Sequence, residues 1–159
     1  MLTVRKYPDP ILATKCDPWT SPSFADLHAT LNAMFEVMET EKGIGLAANQ
    51  VGINARIFIM KDQKGKLWEF INPEIVERDG GQQINEGCLS APGVFVQVPR
   101  SQSVTVKAQD RNGEEFRVVC QDIEAVCVQH ELDHLDGVFF LSKTSRNQRR
   151  AALKTLGLK

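Results

Sequence analysis

The chain has 159 residues, of which 42% are apolar and 25% charged, and its formal net charge is −1. This length suits one folded domain over residues 1–159, and the ordinary composition argues against disorder. The balanced charge gives no general attraction to DNA or to an anionic membrane, and no apolar run is long enough to span a bilayer. The composition therefore favours a soluble globular protein that binds neither DNA nor a membrane.

Four cysteines occur at irregular spacing without a C-x-x-C pair, and the first residues contain no apolar stretch of the secretory type. Both features predict a reduced, intracellular protein. We expect it in the cytoplasm, or in the equivalent compartment if the source is an organelle or a phage.

The N-terminal part of the chain predicts an extended arm and then one amphipathic helix. The arm is indicated by four prolines, which favour extended chain and turns: Pro8, Pro10, Pro18 and Pro22. Ser23 followed by Asp26 is typical of a helix N-cap with its capping partner. Apolar residues then recur at helical spacing over roughly 18 residues, and Gly43 is expected to stop the helix.

Short β-type runs follow from about residue 53 to residue 110. Strands are predicted at 56–60 and 67–71, with a turn over 62–65 between them. Two more strands are predicted around 104–108 and 116–120, because apolar and polar residues alternate there. Asn112-Gly113 between them favours a β-hairpin.

A second helix is predicted from about residue 122 to residue 136, with its end at Gly137. Apolar residues cover most of its circumference, which is normal for a helix buried in the centre of a domain. The remaining residues, 143–159, form a short basic tail with helical character.

The buried helix also contains His130-Glu131-Leu132-Asp133-His134, which has the pattern H-E-x-x-H. Positions i and i+4 of a helix share a face, with Cβ atoms about 6 Å apart, so both imidazoles can bind one metal ion. The glutamate beside them can act on water as a general base. A surface helix with two ordinary histidines is the simpler alternative, but burial makes unpaired polar side chains costly and favours the metal site.

A catalytic site of the zinc type has three protein ligands and one open position, so a third ligand must lie elsewhere. Cys88 is the best candidate, because the neighbouring Gly87 lets the backbone approach closely. A single cysteine more often packs as a small apolar residue, and from the residues alone that alternative stays open.

The segment Gly43-Ile44-Gly45-Leu46-Ala47-Ala48-Asn49-Gln50 combines small residues with a polar amide. It lacks the G-K-[ST] sequence of a phosphate loop. Its small residues allow the backbone to lie close to a ligand, although a tight passage from helix to strand would also explain them. Gln50 is able to donate a hydrogen bond to an oxyanion.

Taken together, G-I-G-L-A-A-N-Q, E-G-C-L-S and Q-H-E-L-D-H resemble the three motifs of the peptide deformylases, in the same order and at the same spacing. The resemblance covers roughly residues 1–145. It implies an α+β fold with antiparallel β-sheets around a central buried helix that carries the H-E-x-x-H metal motif. It also implies the activity of a metal-dependent hydrolase that removes the N-formyl group from formylmethionine at the N-terminus of nascent polypeptides and releases formate.

The resemblance further assigns roles to individual residues. The implied metal ligands are Cys88, His130 and His134. Glu131 is the implied general base, and the Gln50 side chain and the Leu89 backbone N–H are the implied stabilisers of the oxyanion. The residues implied in substrate binding are Ile44, Gly45, Ile84, Gly87, Ile123, Val126 and Cys127.

One divalent metal ion per chain is implied, with Fe²⁺ as the working metal in the cell and Zn²⁺, Ni²⁺ or Co²⁺ able to occupy the site in a purified sample. The implied partners are N-formylmethionyl nascent peptides. The basic tail has two interpretations. It is either a solvated helix end, where cations suit the macrodipole, or a contact with ribosomal RNA.

Two other functions fit parts of the sequence. A zincin-like metallopeptidase shares H-E-x-x-H but usually takes His or Glu as its third ligand, so the intact E-G-C-L-S segment argues against it. A non-catalytic relative that only binds nascent chains or the ribosome would have lost a ligand or the base, and neither is lost here.

Overall fold

The computed structural model describes residues 1–20 and 23–159, so Pro22 of the predicted arm lies outside the described residues. The helices are α1 (Phe24–Thr40), α2 (Asp122–Leu135) and α3 (Arg146–Thr155). The strands are β1 (Gly45–Ala47), β2 (Ile57–Lys61), β3 (Leu67–Asp79), β4 (Gln82–Gly87), β5 (Phe95–Arg100), β6 (Ser103–Gln109) and β7 (Glu115–Gln121). Short 3-10 turns cover Pro10–Ala13, Ala48–Val51 and Phe140–Ser142.

Within this described part of the chain, the strands form two antiparallel sheets. The larger sheet has the order β1-β2-β3-β6-β7, and β4 pairs with β5 in the smaller sheet. Helix α2 contacts β1, β2, β6 and β7 of the larger sheet as well as β5 of the smaller one. The predicted α+β fold, with antiparallel sheets around a central helix, is therefore confirmed.

Helix α2 is buried along almost its whole length. Apart from Asp133, every side chain from Ala125 to Leu135 is buried. Its apolar side chains share a core cluster with Phe58 of β2 and Phe70 of β3. Gly137 ends the helix as predicted. Its φ of 73° is in the left-handed region, and a Cβ there would lie 2.7 Å from the backbone oxygen of Ala13.

The predicted first helix and hairpin are also confirmed. The Ser23 side chain accepts a hydrogen bond of 3.2 Å from the backbone N–H of Asp26 at the start of α1. Strands β6 and β7 pair in register from Ser103↔Gln121 to Gln109↔Glu115, and the turn between them contains Gly113 at a φ of 80°.

The strand predicted at 67–71 is too short, because β3 continues to Asp79. Asn72 has a φ of 51°, and the pairing with β6 shifts register between Ile71 and Glu74. This bulge lets the strand pass Pro73 and resume its ladder. Two hydrogen bonds, of 2.7 and 3.0 Å, hold the Asn72 side chain on the backbone of Trp19.

The basic tail is partly helical and packs on the body of the molecule. Ala152 of α3 is buried, while Leu153 and the residue that follows the helix, Leu156, pack against the core cluster that contains Phe139 and Phe140. Among the helices in the described ranges, none is both long and apolar enough to cross a membrane.

Candidate active site

Three potential metal-binding atoms meet at the centre of the molecule. The donor atoms of Cys88, His130 and His134 all lie within 4.8 Å of one another, and Sγ of Cys88 is 3.4 Å from Nε2 of His134. The histidines occupy successive turns of α2, and Cys88 follows the last residue of β4. A thiolate with two imidazoles is a donor set that binds first-row divalent metals, so these residues fit such an ion.

Glu131 is buried beside this donor set. Its Oε2 atom has no hydrogen-bond partner in residues 1–20 and 23–159. Burial is the largest influence on its pKa and raises it to about 7, against the lowering effect of His130 and Arg100. Because buried polar atoms are normally bonded, the open oxygen is suited to a molecule that enters the site.

The orientation of His130 is fixed by a carboxylate. Its Nδ1 lies 2.9 Å from Oε1 of Glu86. Burial would raise the pKa of Glu86, but hydrogen bonds from His130 and Arg100 outweigh burial and lower it. Glu86 is therefore ionised and accepts the Nδ1–H, so Nε2 is the nitrogen of His130 that can bind a metal ion once its proton has left.

The two imidazoles have different electrostatic surroundings. Burial, with the charges of His130 and Arg100, lowers the pKa of His134 well below its ordinary value and keeps it neutral, as a metal ligand must be. For His130, burial acts to lower the pKa, but hydrogen bonds with Cys88 and Glu86 raise it to about 10. The ionised Glu86 that favours a proton on His130 also favours a bound cation at this position.

Gln50 has its amide group locked in one orientation. Its Oε1 accepts the backbone N–H of Ala47 at 2.9 Å, while its Nε2 donates to Oγ of Ser90 at 3.1 Å and faces Sγ of Cys88 at 3.4 Å. The residue lies on the buried 3-10 turn Ala48–Val51. The donor group of the amide is consequently directed towards the three metal-binding atoms.

A cleft of about 520 Å³ opens in front of these groups. His134 is the one predicted site residue absent from the cleft wall, and its exposure is only 1%. The predicted site residues in the wall are Ile44, Gly45, Gln50, Ile84, Gly87, Cys88, Leu89, Ile123, Val126, Cys127, His130 and Glu131. The structure thus brings the three sequence motifs to one place.

Gly45 is needed where β1 meets α2. A Cβ atom at this position would lie 2.7 Å from Sγ of Cys127 and 3.1 Å from Oε1 of Glu131. Ordinary contacts between such atoms are several tenths of an ångström longer, so only glycine allows the strand to lie this close to the helix.

Two further residues of the cleft were not predicted from the sequence. Phe95 of β5 is 70% exposed at the wall, and Lys6 donates a hydrogen bond of 3.0 Å from Nζ to the backbone oxygen of Leu89. Both lie outside the three motifs, so no sequence pattern marked them.

An antiparallel α+β fold surrounds an H-E-x-x-H helix, a cysteine lies beside the two histidines, and a glutamate lies in an apolar cleft. This is the arrangement of a metal-dependent hydrolase. Comparison with known proteins identifies the kind of hydrolase. The family model described as polypeptide deformylase matches residues 1–150.

Individual relatives agree with the family model. The peptide deformylase of Stenotrophomonas maltophilia K279a is 42% identical over 163 aligned positions, which cover 98% of this chain and 94% of that protein. The peptide deformylase of Chromobacterium violaceum is 44% identical and covers 92% and 88% of the two chains. The crystal structure of the Legionella pneumophila peptide deformylase has a TM-score of 0.93 at 35% identity, covering 99% of this chain and 94% of that one. The peptide deformylase from Synechococcus elongatus, solved in complex with actinonin, has a TM-score of 0.93 at 35% identity and covers 99% and 89%.

The chain belongs to the polypeptide deformylase family. It is a hydrolase that removes the N-formyl group from formylmethionine at the N-terminus of nascent polypeptides and releases formate. The resemblance read from the three motifs is thereby confirmed. Each relative and structure named above is a peptide deformylase, and none favours the zincin-like alternative.

Proposed function

We propose that deformylation takes place at one divalent metal ion held by Cys88, His130 and His134, with Glu131 as the general base. The observation that carries this proposal is the approach of the three donor atoms to within 4.8 Å, beside a buried glutamate in the cleft wall. A divalent metal in this position supplies the Lewis acidity that activates water at neutral pH and polarises the formyl carbonyl. We propose Fe²⁺ as the metal in the cell, with Zn²⁺, Ni²⁺ or Co²⁺ able to replace it, because thiolate and imidazole accept several first-row ions.

Glu131 moves the proton during the reaction. It takes a proton from the attacking water as the water oxygen bonds to the formyl carbon. It then returns that proton to the methionine nitrogen as the C–N bond breaks, which releases formate and a free amine. Its Oε2, which has no partner among the described residues, and its pKa of about 7 suit a group that alternates between base and acid near neutral pH.

Gln50 and the backbone N–H of Leu89 stabilise the negative oxygen that develops on the former formyl group. The contacts of Gln50 with Ala47 and Ser90 hold its amide so that Nε2 faces the reacting centre. Such fixed donors need no reorganisation as charge develops, which is why they lower the barrier.

The methionine side chain occupies the apolar part of the cleft. This part is lined by Ile44, Ile84, Ile123, Val126 and Cys127. The backbones of Gly45 and Gly87, at the ends of β1 and β4, lie in the same wall and can pair with the peptide as an added strand. Pairing through the backbone gives affinity that does not depend on the sequence of the nascent chain.

A paired substrate assay tests this function. The metal-loaded protein is given a formyl-methionyl tripeptide and the same tripeptide without the formyl group, and formate, free amine and internal cleavage are measured together with metal content. We expect formate from the first peptide and no cleavage of either peptide bond. Cleavage of the unformylated peptide would instead support a metallopeptidase.

We also propose that residues 1–159 act as one catalytic domain in the cytoplasm, or in the equivalent compartment if the source is an organelle or a phage. The contacts of α2 with both sheets support the first proposal. Free cysteines within the described residues suit a reducing compartment and support the second.

The basic tail is proposed to contact the ribosome. Arg146 and Arg150 are exposed and Arg149 is half-buried on α3, while the apolar side of this helix packs on the body. Binding to RNA phosphates releases counterions and must therefore weaken steeply as salt rises.

Cosedimentation with ribosomes across a salt series tests the tail. The triple variant Arg146→Ala/Arg149→Ala/Arg150→Ala should lose salt-sensitive binding, while the control Lys64→Ala/Arg117→Ala, which removes two exposed charges elsewhere, should keep it. Equal binding by both variants, or binding insensitive to salt, would show that the tail is only a solvated helix end.

A further inference from the structure

Three buried or half-buried ionisable side chains next to the site take no part in the proposed reaction. Arg100 of β5 is 6% exposed and donates from Nε and Nη2 to the two oxygens of Glu86, at 2.8 and 2.9 Å. Its Nη1 donates to Oδ2 of Asp133 at 2.5 Å. Glu86, at 4% exposure, is as deeply buried as the arginine.

Such a network is costly to bury. Charges removed from water lose their hydration, and apolar residues of similar volume often replace a buried ion pair without loss of stability. All the charged groups here are nevertheless paired, and Lys143 adds a bond of 3.1 Å to the second oxygen of Asp133. Stability alone is therefore a poor explanation for this buried network. The network also contacts a further group, which gives it a second role.

That group is His130. Oε1 of Glu86 accepts hydrogen bonds from both Nη2 of Arg100 and Nδ1 of His130, while Oε2 accepts one from Nε of Arg100. With both oxygens fixed by one planar guanidinium, the carboxylate has no freedom to rotate away from the imidazole. The ring of His130 is therefore oriented from β4 and β5 as well as from its own helix.

His134 provides an internal contrast. Its Nδ1 atom is buried but has no hydrogen-bond partner in the ranges that the structure describes. Asn49 donates a hydrogen bond of 2.6 Å to the backbone oxygen of His134. This bond fixes the helix backbone but does not orient the imidazole ring. The charged network thus acts on one of the two histidines.

We propose that Arg100 is a positioning residue for the metal site. It fixes Glu86, and Glu86 holds the imidazole of His130 in the tautomer and orientation that bind the metal. Asp133 completes the network by accepting a hydrogen bond from Nη1 of the guanidinium, and Lys143 donates to the other oxygen of Asp133. This inference rests on the proposed ligand set, since it needs His130 to be a metal ligand.

Cobalt provides the test, because Co²⁺ bound to a thiolate absorbs visibly and its release to a chelator can be timed. Arg100→Lys keeps the charge but lacks the planar fork that holds both oxygens of Glu86, and Glu86→Gln keeps the shape but removes the charge. Arg111→Lys is the matched control. Arg111 donates to both oxygens of Glu69 of β3, at 2.9 and 3.0 Å, in a similar bidentate ion pair that lies outside the cleft. Circular dichroism establishes that each variant is folded.

We expect Arg100→Lys and Glu86→Gln to release cobalt about 10- to 100-fold faster than wild type, with a changed absorption spectrum, as is typical when partners behind a ligand are lost. The control Arg111→Lys should match wild type in both respects. Release rates and spectra within twofold of wild type for the folded variants would overturn the inference, as would equal acceleration in the control. Should Arg100→Lys not fold, the isosteric Glu86→Gln decides by the same criteria. If wild type itself shows no cobalt–thiolate band, the ligand set fails, and the inference fails with it.

Discussion

Adding a single methyl group at Gly45 should disturb both the stability and the activity of the enzyme. In Gly45→Ala the new Cβ would lie 2.7 Å from Sγ of Cys127, 3.1 Å from Oε1 of Glu131 and 3.2 Å from its Cγ. These atoms belong to the buried helix α2, whose backbone is held by its packing against both sheets. Overpacking of this kind typically costs about 1–3 kcal/mol.

A loss of about 2 kcal/mol lowers the melting temperature of a domain of this size by roughly 4–8 °C. Displacement of Glu131 should also lower kcat, because a base that is moved from its position transfers protons poorly. Thermal unfolding followed by circular dichroism and a formate-release assay measure the two effects. The double variant Gly45→Ala/Cys127→Ala, which removes the nearest obstructing atom, should regain part of the lost stability.

Gly81→Ala is the matched control for this experiment. A Cβ at Gly81 meets no atom within 4 Å, so this variant should unfold close to the wild-type temperature. The reasoning is refuted if Gly45→Ala melts within about 1 °C of wild type and retains its activity, because the close approach of β1 to α2 would then impose no constraint.

Three further experiments test the assignments within the site. Glu131→Gln should retain bound metal while losing about 10²–10⁴ in kcat, as expected for a missing general base; activity within tenfold of wild type would exclude that role. Cys88→Ser should lose metal at neutral pH, because a hydroxyl is a poorer ligand than a thiolate, whereas Cys127→Ser should keep its metal. If metal analysis shows the reverse pattern, the third ligand is Cys127. Iodoacetamide at pH 8 should label Cys88 of the metal-free protein but not Cys120 or Cys127. Burial raises the pKa of Cys120 to about 11 and that of Cys127 well above its ordinary value, so the reactive thiolate is a minor form of both at pH 8. Labelling of either buried thiol in folded protein would contradict their burial.

Much of the fold was predictable because its boundaries are set by local chemistry. The Ser23 cap, the Asn112-Gly113 turn and the left-handed Gly137 each act within a few residues of the element that they begin, join or end. The burial of α2 was also predictable, since the distribution of apolar residues around a helix is a property of the sequence alone. These signals were sufficient for the fold class.

The full length of β3 was not predictable in this way. Pro73 normally argues against a continuing strand, and the bulge that accommodates it depends on Asn72 bonding to Trp19, far away in the sequence. The bounds of β4 and β5 were likewise not assigned from the pattern, although both lie in the stretch of short β-type runs.

The candidate site likewise contains some residues that the sequence predicted and others that it did not. The residues within motifs, such as His130 and Glu131, were marked by their spacing, and the structure places them in or beside one cleft. Arg100, Lys6 and Phe95 are brought to the site by strand pairing and by the path of the N-terminal arm. No short-range pattern contains that information, so only the structure could reveal them.

The central claim is that Cys88, His130 and His134 hold one metal ion and that this ion supports deformylation. Its most direct test is an anaerobic titration of metal-free protein with Fe²⁺, in which formate release from a formyl-methionyl peptide is measured at each ratio of iron to chain. We predict no activity without metal, a linear rise, and saturation at one iron per chain, with no rise for His134→Ala. Full activity of the metal-free protein, or the same titration curve for His134→Ala, would contradict the account.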